Sequence, residues 1–207
     1  EIKEGRWTVV ATDGYRLCNA SVSGVVGNDR ILLPYKGIRD VAAILRETDG
    51  DTVTYMRDET HRFFAIGSRQ IMMRTLEANF PAWERFVPAV EPTGVMVDFD
   101  RIALLDALRR TLLLADKTDR AVALTFDRGM ATIALRTPEG ESAAQVAVVY
   151  DGPAFTTAFS AEYLIDFLAV LDEERVTYRH HDPERQAVLS PVDPRVETQY
   201  ILMPRRL

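Results

Sequence analysis

Short stretches in which apolar and polar residues alternate recur along the chain, and they predict β-strands. The clearest cover residues 6–12, 51–55, 95–99, 121–126 and 144–150, where β-branched and aromatic side chains are frequent. Three other stretches, 36–47, 101–115 and 161–171, place apolar residues three and four positions apart, which is typical of an amphipathic helix. Asp100 and Ser160 precede two of these stretches as candidate N-caps. Strands outnumber helices, so the pattern predicts an α+β fold with antiparallel sheets.

Two internal repeats indicate how these elements are organised. Residues 99–108 align with residues 159–168 at a constant offset of 60, so one strand end and helix is a copy of the other. At an offset of 123, Val53-Thr54-Tyr55 matches Val176-Thr177-Tyr178. The repeating half-unit is therefore a helix followed by several antiparallel strands. Two half-units make a domain, and the chain holds about three half-units.

A boundary between two domains is predicted near residues 87–92. Pro88 and Pro92 restrict the backbone there and remove donors that a central strand would need. This divides the chain into domains of residues 1–90 and 91–207. The alternative is an ordinary loop inside one domain, but the repeat favours a linker. Only one predicted helix precedes the boundary and two follow it, so the N-terminal half-unit has lost its partner.

Composition narrows the class of protein without identifying it. Hydrophobic residues make up 47% and charged residues 27% of the 207-residue chain, which is typical of a folded, soluble protein, and no apolar run reaches the 18 residues of a membrane span. The single cysteine, Cys18, excludes an internal disulfide and suggests an intracellular protein. The first residue is Glu1 and no signal peptide follows, so we expect a fragment. A net charge of −6 argues against broad attraction to nucleic acid, so any DNA contact must be local.

Catalytic motifs are hard to find in this sequence. Gly24 and Gly27 match neither a dinucleotide fingerprint nor a phosphate-binding loop, and no serine lies in a G-x-S-x-G elbow. His180 and His181 are neighbours on a predicted strand, so their imidazoles point to opposite faces and cannot easily share a metal ion; we interpret them as a polar strand end. The sequence predicts no cofactor and no metal site, and enzymatic activity is the weakest interpretation.

Four segments carry a resemblance to a known family. They are Thr12-Asp13-Gly14-Tyr15-Arg16-Leu17, Phe80-Pro81-Ala82-Trp83-Glu84-Arg85, the strand and helix of residues 159–171, and the terminal Tyr200-Ile201-Leu202-Met203-Pro204-Arg205-Arg206-Leu207. In this order they resemble the beta subunit of bacterial DNA polymerase III, a sliding clamp, over the entire chain. The resemblance implies a DNA-clamp fold of repeated half-domains in a bacterial cytoplasmic, nucleoid-associated protein. Family members have three similar domains, so the first domain and half of the second are expected upstream of Glu1.

The resemblance also implies a pocket for partner peptides, in a non-catalytic processivity factor that tethers the replicative polymerase to DNA. Polymerase subunits, the clamp loader and repair proteins are expected to insert short linear motifs with apolar anchors. The residues carried over are Thr12, Gly14, Tyr15, Arg16, Leu17, Pro81, Arg85, Phe86, Tyr163, Met203, Pro204, Arg205, Arg206 and Leu207. An apolar chain end should fray unless it is docked, which favours the pocket. Arg205 departs from the small apolar residue common in the family.

Two alternatives to this interpretation stay open. Leu17, Phe86 and Met203 are ordinary core residues in the simpler interpretation, since residues of these types usually are. A clamp-like peptide-binding module that does not serve replication is the alternative function.

Double-stranded DNA is the other implied partner, and only of the full-length ring, which the resemblance makes a head-to-tail homodimer. A sliding clamp needs weak phosphate attraction without base recognition. The candidate DNA-facing residues are Lys36, Arg39, Arg46, Arg101, Arg109, Arg110 and Lys117. The third predicted helix carries Glu162 and Asp166 and fits an inner wall poorly. The 207 residues alone are not expected to encircle DNA.

Overall fold

A computed structural model describes residues 1–48, 52–88, 94–115, 120–138 and 140–206, apart from the side chain of Leu114. The chain forms two compact units: the first contains residues 1–5 and 25–83, and the second contains residues 6–24 and 84–207. Lys117, Leu207 and the predicted boundary at residue 90 lie outside the described residues.

The first unit packs one helix against a small antiparallel sheet. Its elements are β1 (Ile2–Lys3), α1 (Tyr35–Glu47), β4 (Val53–Arg57), β5 (His61–Ile66) and β6 (Arg69–Arg74), with the sheet in the order β4-β5-β6. Val41 on α1 and Phe64, Ile66 and Met73 on the sheet are buried. A Cβ atom at Gly37 would lie 2.9 Å from the Met73 Sδ, so a glycine is what allows α1 to approach β6 this closely.

A buried carboxylate crosslinks the first unit. Asp29 accepts hydrogen bonds from the Tyr55 hydroxyl (2.5 Å) and from Nε and Nη2 of Arg62 (3.1 and 3.3 Å), and Arg57 Nη1 lies 2.9 Å away. Burial opposes ionisation of Asp29, but these donors outweigh it and hold the pKa of the carboxyl below its ordinary value. The charge of the buried Arg62 is thus compensated within the unit.

The second unit is organised around antiparallel strands in the order β2-β3-β14-β13-β12-β7-β10-β9-β8-β11, with two helices. The strands are β2 (Arg6–Thr12), β3 (Arg16–Ser23), β7 (Val95–Asp100), β8 (Ala121–Asp127), β9 (Met130–Thr137), β10 (Gly140–Val149), β11 (Phe155–Ser160), β12 (Arg175–His180), β13 (Ala187–Pro191) and β14 (Glu197–Leu202). The helices are α2 (Arg101–Thr111) and α3 (Ala161–Leu168), and short 3₁₀ helices cover Trp83–Phe86 and Leu112–Leu114. Mixed helices and antiparallel sheets confirm the predicted α+β class.

The 60-residue repeat is visible in the structure as two strand-to-helix corners. β7 runs into α2 and β11 runs into α3, and the two helices pack together. Asp100 caps α2 by accepting from the Ala103 N–H at 2.7 Å, whereas Ser160 occupies the same position without a side-chain cap bond. The helices are shorter than predicted, since α2 continues as 3₁₀ helix after Thr111 and α3 ends at Leu168.

The boundaries of the two compact units differ from the predicted domain boundary at residue 90. The β2–β3 hairpin belongs to the second unit because β3 pairs with β14, from Ser21 opposite Glu197 to Arg16 opposite Leu202. A division into family domains of residues 1–90 and 91–207 stays a prediction.

The interpretation of His180 as a polar strand end is wrong. Val176, Tyr178 and His180 alternate along β12 and all face the core, and His180 is 6% exposed. Its Nδ1 lies 2.7 Å from the Tyr178 hydroxyl, and its ring meets Phe155 edge-on at 4.5 Å. Burial disfavours the imidazolium and lowers the pKa of His180.

Candidate functional site

The turn between β2 and β3 is held by hydrogen bonds from its own side chains. Asp13 Oδ1 accepts from the N–H groups of Tyr15 (3.0 Å) and Arg16 (3.1 Å), and the Thr12 hydroxyl donates to the Arg16 carbonyl (2.7 Å). Three residues separate the strands instead of the two that Asp-Gly predicts, because the Asp13 carboxylate closes a wider turn. Gly14 has φ +89°, as expected for a glycine in a turn.

The C-terminal segment lies directly beside this turn. β14 pairs with β3 up to Leu202 opposite Arg16, and the Met203 N–H then donates to the Tyr15 carbonyl at 3.1 Å. The Arg205 N–H donates to the Ala158 carbonyl on β11 at 2.8 Å. These backbone bonds dock the chain end, as its apolar character suggested.

The apolar residues of the proposed pocket divide into core and surface. Leu17 is 5% exposed and belongs to the core, so the simpler interpretation holds for it. Tyr15 (67%), Phe86 (54%) and Met203 (50%) are large apolar side chains that are exposed on the surface. Tyr15 and Met203 are brought together by the backbone bond between them.

Arg16 connects this surface to α3. Its Nη1 lies 2.8 Å from Asp166 Oδ2 and donates to the Tyr200 hydroxyl at 3.2 Å, while its Nε donates to Asp13 Oδ2 at 2.9 Å. The guanidinium carbon sits 4.2 Å from the centroid of the Tyr163 ring, a cation–π contact. Burial acts against the charged guanidinium, but the hydrogen bonds to Asp166, Tyr200 and Asp13 outweigh it and raise the pKa of Arg16.

Tyr200, on β14, accepts a hydrogen bond from Arg16 and packs against α3. Its ring stacks on Phe167 of α3, with centroids 4.4 Å apart and planes 6° from parallel. Its hydroxyl donates to the Tyr163 carbonyl at 2.9 Å, and burial raises the pKa of Tyr200 to about 12. The hydroxyl therefore stays protonated at neutral pH and links β14, β3 and α3.

Most of the predicted pocket residues gather in this part of the second unit. Thr12, Tyr15, Arg16, Tyr163 and Met203 join through the bonds above. Gly14 and Leu17 belong to the same hairpin, and Pro204 and Arg205 follow in the docked chain end. Arg85 and Phe86 are exposed on the 3₁₀ helix Trp83–Phe86, and Arg206 is exposed. Pro81 belongs to the first unit, and Leu207 lies outside the described residues.

Sequence reasoning missed three members of this arrangement: Asp13, Asp166 and Tyr200. Asp13 and Tyr200 stand inside the motifs that carried the resemblance but were not assigned to the pocket. Asp166 was noted only as an acidic residue that fits poorly beside DNA. Its role depends on a partner 150 residues away in the sequence, which no local pattern reveals.

The candidate DNA-facing residues have different surroundings. Lys36, Arg39 and Arg46 are exposed on α1, and Arg109 and Arg110 are exposed in the last turn of α2.

Arg101 differs from these residues because its guanidinium is engaged within the second unit. Its Nε donates to the Glu173 carbonyl (2.7 Å) and its Nη1 to the Leu168 carbonyl (3.0 Å), which ties the start of α2 to the end of α3. Two acidic residues of α3 also form ion pairs with arginines: Glu162 lies 2.5 Å from Arg120, and Asp166 lies 2.8 Å from Arg16.

Within the described ranges, no group of three or more His, Cys, Asp or Glu side chains is arranged to hold a metal ion. Among the helices in those ranges, none is long and apolar enough to cross a membrane.

Fold and site together define a class of α+β proteins built from repeated helix-and-strand units, in which a hairpin and the chain end form an exposed apolar surface. Residues 84–206 match the model of the DNA polymerase III beta subunit, C-terminal domain. The chain therefore belongs to the DNA polymerase III beta subunit family.

Known clamps resemble the whole of this chain. The beta sliding clamp of Pseudomonas aeruginosa is 31% identical, with 100% of this chain and 56% of the relative covered. A solved structure of the Pseudomonas aeruginosa sliding clamp superposes with a TM-score of 0.90 at 29% identity, covering 100% of this chain and 57% of the other. Another, bound to griselimycin, gives a TM-score of 0.89 at 30% identity, with 100% and 56% covered. The chain spans about half the length of these relatives, and nothing in them favours a module outside replication.

Proposed function

We propose that the protein containing this chain acts as a DNA sliding clamp, a non-catalytic processivity factor that holds the replicative polymerase on DNA. The observation that carries the proposal is the exposed Tyr15–Met203 surface, formed where the chain end docks on the hairpin. Membership of the beta subunit family supports it, as does the griselimycin-bound structure of a relative.

The Tyr15–Met203 surface suits a short linear motif with apolar anchors. Two large, half-exposed apolar side chains offer a contact area, and neighbouring backbone and arginine groups offer donors that can fix an extended peptide. Polymerase subunits, the clamp loader and repair proteins are the proposed partners. Thr12, Gly14, Arg16, Tyr163 and the chain end form its surroundings, with Arg85 and Phe86 proposed as a further wall.

Binding at this surface can be tested with griselimycin as the probe. Isothermal titration calorimetry on the 207-residue chain should detect binding, and Met203→Glu should weaken it at least tenfold because it places a charge among apolar contacts. Met96→Glu is the matched control, since Met96 lies in the same unit and is 58% exposed. Equal affinity of the Met203→Glu variant and the unmodified chain would contradict the proposed site.

Basic residues on the helices are proposed to face the DNA in the complete ring. Arg109 and Arg110 are the strongest candidates because both are exposed in one helical turn, and Lys36, Arg39 and Arg46 form a similar set on α1. Such groups supply weak phosphate attraction that does not depend on base sequence, which permits sliding.

Charge reversal in the full-length protein tests this part of the proposal. Arg109→Glu with Arg110→Glu should shorten the retention of the clamp on circular DNA, and the loss should be greatest at low salt. Arg128→Glu with Arg195→Glu changes the net charge equally at two other exposed positions and serves as the control. Unchanged retention of the Arg109/Arg110 variant would show that these residues do not face DNA.

Assembly and location complete the proposal. We propose a head-to-tail homodimer of the full-length protein, which closes into a ring because each subunit carries both contact surfaces. Its place would be the bacterial cytoplasm, on the nucleoid. Light scattering of the full-length protein tests the dimer, and a monomer at micromolar concentration would contradict it.

A further inference from the structure

Arg16 is held in one orientation by groups from three different elements. Asp13 from the hairpin binds its Nε, Tyr200 from β14 accepts from its Nη1, and Asp166 from α3 pairs with the same Nη1 at 2.8 Å. The face of the guanidinium lies against the ring of Tyr163, also on α3. Two of the four contacts, those of Asp166 and Tyr163, therefore come from successive turns of one helix.

We infer that Asp166 is a positioning residue of the partner site: it holds the Arg16 guanidinium on Tyr163 and so fixes the Arg16 side chain, next to Tyr15, against α3. The inference rests on the proposed peptide-binding function of the Tyr15–Met203 surface. Asp166 does not itself need to touch the partner, because its effect passes through Arg16.

The contacts explain why the Asp166 carboxylate matters more than its exposed position on α3 suggests. Asp13 lies in the same turn as Arg16, so the Asp13 pair moves with the hairpin and cannot anchor it. Asp166 belongs to α3, whose Leu164, Phe167 and Leu168 are buried in the core, so its carboxylate is fixed relative to the body of the unit. Without it, Nη1 loses its charged partner on α3, and the Arg16 side chain must be ordered when a partner binds, although β3 stays paired with β14.

The main experiment compares Asp166→Asn with Glu162→Gln, using griselimycin titrations on the 207-residue chain. Both variants remove one negative charge from α3 and break one ion pair with an arginine. Asp166 pairs with Arg16 of the hairpin, whereas Glu162 pairs with Arg120 outside it. We expect Asp166→Asn to weaken griselimycin binding about three- to tenfold, because a partly exposed ion pair contributes only modestly to the free energy. The Glu162→Gln variant should bind griselimycin like the unmodified chain.

A double-mutant cycle separates positioning from general destabilisation. If Asp166 acts through Arg16, then adding Asp166→Asn to an Arg16→Ala chain should cause no further loss of affinity. A further loss of the same size in the Arg16→Ala background would overturn the inference. So would unchanged affinity of the single Asp166→Asn variant in a chain that binds griselimycin.

A measurement on the unmodified chain keeps the test valid should a variant fail to fold. Rotation of the Arg16 guanidinium, followed by ¹⁵N exchange NMR, should be slow because both Nε and Nη1 are held, and free rotation would overturn the inference. Absence of griselimycin binding by the unmodified chain is a different result. It would contradict the proposed function while leaving the Arg16–Asp166 coupling to be judged by NMR.

Discussion

Mild acidification should destabilise the second compact unit through a single buried histidine. His180 is 6% exposed, packs edge-on against Phe155, and has its Nδ1 within hydrogen-bond distance of the Tyr178 hydroxyl. Burial lowers the pKa of His180 below its ordinary value of 6.5, and the neighbouring Asp182 only partly opposes this. The folded chain therefore keeps the imidazole neutral at pH values where the unfolded chain takes up a proton.

The sign and size of the effect follow from linkage. Between the folded and unfolded pKa values the unfolded state binds more protons, so stability rises with pH. The contribution of His180 is fully present above about pH 6.5 and is lost as the pH falls, by at most about 1.4 kcal/mol for each pH unit. From pH 7.5 to pH 5.5 we expect a loss of up to about 1.4 kcal/mol, since only the last unit of this interval lies below 6.5.

Urea denaturation followed by circular dichroism at several pH values measures this directly. The free energy of unfolding of the unmodified chain should fall over that interval, and His180→Gln should be less stable at pH 7.5 but nearly independent of pH in this window. His181→Gln, an exposed neighbour, should behave like the unmodified chain. An unaltered pH slope in the His180→Gln variant would refute the reasoning.

Other predictions concern the remaining buried polar groups and the turn. Asp29→Asn should cost about 3 kcal/mol in urea denaturation because it leaves the buried Arg62 without its counter-charge, and a loss below 1 kcal/mol would contradict this. Burial raises the pKa of Cys18 to about 11, so iodoacetamide at pH 8 should alkylate Cys18 in urea but hardly at all in the folded chain. Gly14→Ala should destabilise the chain by about 1 kcal/mol because φ is +89°, and an unchanged urea midpoint would argue against strain there. Tyr200→Phe should cost about 1–2 kcal/mol while keeping the stack on Phe167, and equal stability would show that the hydroxyl bonds contribute nothing.

The elements that sequence patterns predicted well are those with local signals. The alternation in residues 6–12 became β2 without change of bounds, and the repeat anticipated the two strand-to-helix corners at Asp100 and Ser160. The side-chain period acts within a few residues in each case, and Asp100 adds a cap bond to the Ala103 N–H, so neighbours in the sequence determine the outcome.

The features that the sequence did not predict depend on packing between segments that are distant in the chain. His180 looked polar in isolation, yet β12 places it beside Phe155, with its Nδ1 within hydrogen-bond distance of the Tyr178 hydroxyl. Asp166 was only one of the acidic residues of the third predicted helix until the pairing of β3 with β14 brought Arg16 to it. The predicted pocket came from a family resemblance, and the network that supports it was visible only once the strands were paired.

The docking of β14 beside β3 has a consequence for how the protein is made. Arg16 and Tyr200 are 184 residues apart, and Arg16 and Asp166 are 150 apart, so the surface depends on contacts that close very large loops. During synthesis the hairpin leaves the ribosome long before β14 exists, and until then the hairpin edge has no strand beside it. A nascent or truncated chain that does not yet contain β14 therefore lacks the Tyr15–Met203 surface.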